Sequence, residues 1–325
     1  MAVGFWLSGL DEAGYGPLLG PLVVALVTLR AEEPISPAAP WKLLAPVISH
    51  RRRQRGIAVA DSKALHRPSK GDLAPLEAGV LAFLGVERHG EPPGTFRELV
   101  HHLTGGRGDY LDRYPWYADR DLELPTSIPK LELLGAIRRL TRRLAGARLE
   151  MAEMRAIPLE VVEFNRELQQ RNSKGDVNAW AIGRLLSFLW RQRERQNMEA
   201  WSDQLGGRRR YGPLLYPLFP GAHFQILGQG EDQQTYRVEG PEAERTLIIR
   251  FQKGGEDHSF PTALASMTAK YLRELHMMLF NRWWQQHQDL RATAGYYTDA
   301  RRFLAECDPL RRRLGVDDAL LVRNR

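Results

Sequence analysis

The chain of 325 residues is 43% hydrophobic and 26% charged, which is typical of a globular protein that can bury a large core. Its 46 Lys and Arg residues outnumber 39 Asp and Glu, giving a net charge of +7, and the single cysteine, Cys307, excludes an intrachain disulfide and a thiolate metal cluster. The longest apolar run, Pro17–Leu29, is shorter than the ~20 residues of a membrane-spanning helix. We therefore expect a cytoplasmic monomer with no membrane partner.

The chain begins with two predicted strands separated by a glycine-rich turn. Val3–Leu10 is apolar and partly β-branched, and Leu22–Leu29 is a second candidate for a buried strand. Asp11 and Glu12 stand where the first strand gives way to the turn, and the glycines that follow let the backbone approach a ligand closely. This is the layout of a metal site, although an acidic pair can also simply solvate a hairpin.

Two further segments add polar or aromatic candidates. Asp61, Ser62 and Lys63 form a short motif in which Asp61 or Ser62 is suited to cap the first turn of a helix. Residues 85–130 mix Pro, Gly and aromatic residues and are predicted to be irregular, either a lid or an added binding surface. Their aromatic rings could stack on bases or pack the segment onto the core.

The second half of the chain alternates between helical and strand patterns. Across Pro158–Arg193, apolar residues recur at three- and four-residue intervals, which predicts helix. A short predicted strand then ends at Asp203, ahead of two glycines. An expanded hairpin around 228–245 is predicted from strand patterns at His223–Leu227, Tyr236–Val238 and Thr246–Gln252.

The string from Leu7 to Pro21 resembles the DEAGRGP…GP signature of type 2 ribonuclease H (ribonuclease HII), a long and therefore specific motif. The resemblance covers most of the chain except about 85–150 and 228–245. It implies an α/β ribonuclease H-like fold, a mixed sheet with flanking helices and a C-terminal helical part. We predict one catalytic domain over residues 1–325, with a family-atypical insertion at about 85–150 and the expanded hairpin at about 228–245.

The same resemblance implies a set of catalytic carboxylates that also hold metal. Asp11 and Glu12 match the first motif, and Asp203 aligns with the aspartate of the family's strand-end V-D-G element, although an Asx turn is an alternative there. Massing negative charge costs free energy unless a hard cation neutralises it, so Mg²⁺ or Mn²⁺ is expected as cofactor. Two such ions can activate water and stabilise a leaving oxygen, so no nucleophilic side chain is required. The nine histidines form no HExxH pair, which disfavours a zinc hydrolase.

The last catalytic carboxylate has two candidates. Lys253–Lys270 resembles the family's K-x-D…P…AAS-x-x-AK block, whose aspartate precedes a helix. Counting back from Pro261 selects Asp257, whereas counting back from Ser266 selects Glu256. We prefer Asp257 as the catalytic residue, because the family uses aspartate, and keep Glu256 as an alternative metal ligand.

The family also implies which residues contact nucleic acid, and one of them departs from its pattern. The arginine of the family's Gly-Arg-Gly is replaced by Tyr15, so the flanking backbone amides can still reach a 2′-hydroxyl but the positive charge is lost. The departure bears on recognition of single embedded ribonucleotides more than on hydrolysis of a hybrid. The implied substrate-binding residues are Gly14, Tyr15, Gly16, Ser62, Lys63, Ser266, Lys270 and Tyr296.

Clusters of arginine favour a polyanionic partner, although each cluster alone is typical of a solvated surface. The expected function is metal-dependent endonucleolytic cleavage of the RNA strand in RNA–DNA hybrids, with a hybrid or a ribonucleotide-containing duplex as partner. The alternatives are a non-catalytic nucleic-acid-binding protein of the same fold and a structure-specific DNA nuclease. Convergence of the later carboxylates with the first pair separates the enzyme from the binding protein. The clusters are Arg51–Arg53 with Arg55, Arg138–Arg139 with Arg142–Arg143, Arg208–Arg210 and Arg311–Arg313.

Overall fold

The structure is a computed structural model that describes residues 4–50, 56–66, 72–192, 196–206, 208–241 and 245–324. The predicted arginine cluster at 51–55 lies outside these residues. The strands are β1 (Phe5–Ala13), β2 (Leu22–Ala31), β3 (Ile48–Ser49), β4 (Ile57–Ala58), β5 (Leu149–Leu159), β6 (Asn197–Asp203), β7 (His223–Gln229), β8 (Gln233–Glu239) and β9 (Thr246–Gln252).

Helices flank the sheet and form the C-terminal part of the chain. They are α1 (Ala39–Leu43), α2 (Ser62–Leu65), α3 (Ala74–Glu87), α4 (Phe96–Thr104), α5 (Lys130–Gly146), α6 (Val161–Gln169), α7 (Lys174–Arg191), α8 (Gly212–Leu215), α9 (Gly255–His258), α10 (Phe260–His287), α11 (Tyr297–Leu314) and α12 (Asp318–Leu321), with 3-10 turns at Asp109–Arg113 and Tyr216–Leu218. No helix in the described ranges is both long and apolar enough to cross a membrane.

One seven-stranded mixed sheet has the order β5-β2-β1-β6-β9-β8-β7, and β3 pairs with β4 separately. β2 runs antiparallel to β1 and β5, whereas β1, β6 and β9 run parallel to one another. The predicted hairpin extends the sheet, because β8 pairs antiparallel with β7 and β9. The expected fold class, a mixed sheet with flanking helices and a C-terminal helical part, is confirmed.

The centre of the sheet is buried on both faces, which explains why its strands are continuously apolar. Successive side chains of a strand point to opposite faces, so Val23 and Ala25 pack into the core that contains α10, while Leu22 and Val24 pack into the core that contains α7. α10 crosses β1 closely at Gly9, where a Cβ atom would lie 2.0 Å from the backbone nitrogen of Thr262. This contact fixes the start of α10 against the strand that carries the first carboxylates.

The segment predicted to be irregular, residues 85–130, is mostly non-helical, as expected, but it is well packed. It contains the end of α3, all of α4 and a 3-10 turn before α5 begins. Its aromatic residues Tyr114, Trp116 and Tyr117 are at most 1% exposed, so they pack into the core and are not available to stack on bases. β5, which follows α5 and pairs with β2, was not predicted as a strand.

Candidate active site

Carboxylates from separate elements meet at one edge of the sheet. β1, β6 and β9 are parallel, so their carboxyl ends lie together, and this is the edge at which open α/β sheets bind ligands. Asp11 and Glu12 lie near the end of β1, and Asp203 is the last residue of β6. β9 leads into Gly254, whose φ of 63° turns the chain into the short helix α9. The backbone N–H of Gly255 then donates to Asp203 Oδ1 at 3.3 Å, which joins α9 to the end of β6.

Asp11 is the most buried of these carboxylates, with 8% of its surface exposed. Burial raises the pKa of Asp11 well above its ordinary value, and the nearby negative charges of Glu12 and Glu256 raise it further. A hydrogen bond from Ser266, on α10, opposes this increase. The ionised form of Asp11 therefore has too little positive charge around it to offset its burial.

Glu12 is half-buried and shares this environment. Burial raises its pKa, a hydrogen bond from Asn178 on α7 lowers it, and the charges of Asp203 and Glu256 raise it again. Lys63 is the cation that lowers it. These mutual effects show that Glu12, Asp203 and Glu256 occupy one site.

Glu256 and Asp257 are placed differently by α9. Burial raises the pKa of Glu256, and the charges of Asp203 and Asp61 add to that effect. Its Oε2 atom is buried without a hydrogen-bond partner among the described residues. Asp257 is exposed and acts instead on His50, whose pKa burial lowers and Asp257 raises. The structure thus brings Glu256, and not the preferred Asp257, to the other carboxylates.

The motif of Asp61, Ser62 and Lys63 borders this site. Asp61 caps α2 by accepting the backbone N–H of Lys63 at 3.0 Å, as predicted, and the Ser62 hydroxyl lies 3.0 Å from that of Ser266. The Lys63 side chain is exposed. Burial alone would lower the pKa of Lys63, but surrounding carboxylates, Asp61 and Glu256 foremost, raise it above its ordinary value. Lys63 therefore remains a cation at the rim of the site.

Lys270 is one turn along α10 from Ser266 but is committed to an internal ion pair. It is 7% exposed, and its Nζ donates to Glu274 Oε1 at 2.6 Å. Burial opposes ionisation of Glu274, but His66, Lys270 and Arg273 together lower its pKa to about 2. The ammonium of Lys270 is thus held beneath the surface, away from a position where it would meet solvent.

The glycine-rich turn after β1 packs against Arg273 on one side and faces open space on the other. Gly14 has a φ of +84°, and a Cβ atom there would lie 2.5 Å from Arg273 Nε, so only glycine fits. Gly16 faces open space, and Tyr15 is 38% exposed. The Tyr15 hydroxyl lies 3.6 Å from where a Cβ of Gly175 would stand, at the start of α7.

Tyr296 is exposed at 46%, and the guanidinium of Arg273 lies 5.7 Å from the centre of its ring. Its open face is therefore available to a ligand above the glycine-rich turn.

Two residues of this region were missed by sequence reasoning. Asn178 is a polar residue on the buried face of a predicted helix, and that signal could have found it. Arg323 donates to the carbonyl oxygen of Gly14 at 2.8 Å, across 309 residues of sequence. No local sequence pattern predicts a contact between residues so far apart in the chain.

The residues present suit a hard divalent cation. They offer carboxylate oxygens, the ligands that Mg²⁺ and Mn²⁺ prefer, and one of these, Glu256 Oε2, lacks a partner among the described residues. In the part of the chain that is described, no three acidic, His or Cys side chains are close enough together to hold one ion as they stand. Side-chain rotation of the half-buried Glu12 and Glu256 would therefore have to accompany metal binding.

No family model matches the chain, and no curated protein matches its sequence. Among solved structures, ribonuclease HII of Archaeoglobus fulgidus, in a complex with PCNA, is 13% identical, with 99% of this chain and 95% of that chain covered and a TM-score of 0.41. Ribonuclease H2 of Pyrococcus horikoshii OT3 is 12% identical, with 98% and 92% covered and a TM-score of 0.41. Bst ribonuclease HIII in complex with Mn²⁺ is 15% identical, with 93% of this chain and 62% of that chain covered and a TM-score of 0.39.

Proposed function

We propose that this protein is a metal-dependent endonuclease that cleaves the RNA strand of RNA–DNA hybrids. The observation that carries the proposal is the meeting of Asp11, Glu12, Asp203 and Glu256 at the carboxyl edge of parallel strands, where burial and neighbouring negative charges raise the pKa values of Asp11, Glu12 and Glu256. A buried set of this kind is unfavourable unless a cation neutralises it. Mutual repulsion without a matching number of side-chain cations supports a metal site better than it supports a solvated hairpin.

The four carboxylates would be the metal ligands, with Glu256 in the position for which the sequence pattern favoured Asp257. Bound Mg²⁺ or Mn²⁺ would supply activation of water and stabilisation of the leaving oxygen of a phosphodiester. Ser266 and Asn178 lie where they would orient Asp11 and Glu12 by donating hydrogen bonds to them.

Other side chains would hold the nucleic acid against this site. Lys63 presents a positive charge at the rim, where a backbone phosphate can pair with it. Gly14 and Gly16 carry no side chain on either side of Tyr15, so a sugar can approach the backbone at these two positions. Tyr296 exposes a ring that can pack on a sugar of the same strand. Lys270 acts indirectly, because its ion pair with Glu274 stabilises α10 beneath Ser266.

The arginine clusters differ in how free they are to bind phosphate. Arg138, Arg139, Arg142 and Arg143 are exposed on α5. Arg208, by contrast, pairs with Asp176, while Arg311 and Arg312 pair with Asp308. The proposal therefore assigns long-range attraction of the polyanion to the exposed arginines and treats the paired ones as structural.

The rival functions make different demands on the site. A non-catalytic binding protein has no use for buried carboxylates that repel one another, so their convergence favours the hydrolase. A structure-specific DNA nuclease would use the same carboxylates, and only the replacement of the family's arginine by Tyr15 favours it. We propose a single catalytic domain over residues 1–325, acting as a monomer in the cytoplasm.

Cleavage of defined duplexes tests the proposal. The substrates are a continuous hybrid, a DNA duplex with one ribonucleotide and an all-DNA duplex, each incubated with Mg²⁺, with Mn²⁺ and with a chelator. We expect metal-dependent cuts within the RNA strand of the hybrid and none in the chelator. Cutting of the all-DNA duplex would favour the DNA nuclease, and no cutting of any substrate would favour the binding protein.

A further inference from the structure

A groove lies beside β5, on a side of α7 that the carboxylate site does not use. Two adjoining cavities of about 430 and 270 Å³ form it, and both are lined by Arg107 and Arg184. One wall is the segment Thr104–Arg113, which belongs to the family-atypical insertion, and the other is the exposed face of α7. Ala156 and Ile157 of β5 form the floor that the two cavities share. We call this the arginine groove.

The arginine groove has more positive charge than its own acidic residues neutralise. Arg113 pairs with Glu163 at 2.6 Å and so is already satisfied. Arg107 and Arg184 are exposed and have no acidic partner among the residues that the structure describes. They stand at the junction of the two cavities, so an anion placed there meets both of them.

Stacking on aromatic rings holds some of the groove's guanidinium groups in place. The guanidinium of Arg184 lies 5.9 Å from the centre of the Trp180 ring. The guanidinium of Arg171, which lines neither cavity and pairs with Glu167 at 2.6 Å, lies 4.6 Å from the same ring. One turn further along α7, Arg155 from β5 lies 5.3 Å from the ring of Phe188. Arg155 uses its donors on Glu153 at 2.8 Å, whereas Arg184 has no acidic partner among the described residues, so its in-plane N–H donors can meet phosphate oxygens.

α7 connects the groove to the carboxylate site. Asn178 faces Glu12, and Trp180 follows two residues later, roughly 200° around the helix. The helix begins beside the Tyr15 hydroxyl and reaches Arg184 about 15 Å further along its axis. A strand that passes Tyr15 can therefore continue around the start of α7 and enter the groove.

We propose that the arginine groove binds a single-stranded extension of nucleic acid, with its phosphates on Arg107 and Arg184. The two cavities together have the volume of a ligand-binding cleft, which is enough for consecutive nucleotides of one strand. A lone small anion would leave the second cavity unfilled, whereas a strand presents a phosphate at each nucleotide. The proposal goes beyond the hydrolytic site and uses residues that have no part in it.

Fluorescence anisotropy of a labelled oligothymidylate, measured with a chelator present, tests this proposal. The groove variant carries Arg107→Glu with Arg184→Glu, and a matched control carries Arg282→Glu with Arg291→Glu at exposed positions that line neither cavity and belong to no proposed binding cluster. We expect the groove variant to lose at least about tenfold in affinity and to show a shallower salt dependence, while the control loses about threefold or less. Thermal unfolding of both variants checks that each is folded.

Three outcomes would overturn the proposal: wild type that does not bind the oligothymidylate, a groove variant that binds as well as wild type, or a control that loses as much as the groove variant. The last outcome would mean that only overall charge matters. Arg184→Lys with Arg107→Lys should restore part of the affinity lost in the glutamate variant, because lysine returns the charge but not the planar guanidinium donors. Since no cleavage is measured, failure to hydrolyse a hybrid would count against the proposed function and not against this groove.

Discussion

The carboxylate site and the arginine groove lie on different sides of α7 and handle charge in opposite ways. The site buries Asp11 and half-buries Glu12 and Glu256 at the ends of strands, so burial and mutual repulsion raise their pKa values. The groove leaves Arg107 and Arg184 in solvent, where their charges cost little to maintain. The carboxylate site therefore needs a counter-ion at close range, whereas the arginine groove can attract a polyanion weakly and reversibly.

The largest expected effect is a difference in hybrid cleavage between variants of two neighbouring carboxylates of α9. Glu256→Gln should lower hybrid cleavage by about a hundredfold or more, because it removes a charge from the site. Asp257→Asn is the matched control and should change cleavage by less than about threefold, since Asp257 is exposed and turned toward His50. The measurement is the cleavage rate at saturating Mg²⁺. A larger loss in the Asp257 variant would restore the preference drawn from the sequence.

Salt should weaken the affinity for nucleic acid through the exposed arginines, and the carboxylates should contribute little to that salt dependence. Exposed arginines bind by displacing counter-ions from phosphates, so hybrid affinity should fall at least about tenfold between low and physiological ionic strength. Glu256→Gln should show the same slope, because the carboxylates make no contact with phosphate of their own. Affinity that does not change with salt would mean that the exposed arginines are only solvated surface.

Tyr15 tests how far the turn after β1 reads the substrate. A charge-assisted hydrogen bond is worth about 1.5–3 kcal/mol, so a tyrosine at the position where the ribonuclease HII motif has arginine should weaken junction selectivity by about tenfold. We expect wild type to discriminate weakly between a single ribonucleotide and a continuous hybrid, and Tyr15→Arg to favour the single ribonucleotide. The ratio of kcat/KM for the two substrates measures this. A wild type that is already strongly selective, or a ratio that Tyr15→Arg leaves unmoved, would show that another group reads the junction.

Glu160 is a buried carboxylate that is not among the proposed metal ligands. Its substitution should affect only the pH dependence of stability. Burial raises its pKa to about 7 against hydrogen bonds from Tyr117 and the backbone of Val161. Because the folded pKa exceeds the unfolded one, this group stabilises the protein at low pH and loses that contribution as pH rises from about 4.5 to about 7. In wild type the free energy of unfolding should fall as pH rises through this range, and Glu160→Gln should reduce that slope by up to about 1.4 kcal/mol per pH unit. Denaturant unfolding at a series of pH values measures the slope. An unchanged slope would mean that Glu160 is ionised throughout.

The sequence predicts the parts of this molecule whose signals are contiguous. β1, β2, Asp11 and Glu12 lie in one motif, so their pattern and spacing can be read directly. β5 was not predicted, because it is an edge strand whose charged residues and Pro158 weaken the apolar alternation.

The remaining misses depend on geometry that no local pattern contains. Choosing between Glu256 and Asp257 requires the left-handed turn at Gly254, which sets the rotation of α9. The walls of the arginine groove bring Thr104–Arg113 together with α7, far apart in sequence, so no single run of residues predicts that they share a cleft.

The most direct test of the central claim is the behaviour of Asp11→Asn, which removes one charge from the carboxylate site and leaves the exposed arginines intact. Hybrid cleavage and hybrid binding are measured on the same preparation, with Mg²⁺ and with Mn²⁺. We predict that cleavage falls by about a hundredfold or more with either metal, while the affinity for the hybrid stays within about threefold of wild type. Near-normal turnover by Asp11→Asn would contradict the assignment of this site as the metal-dependent centre.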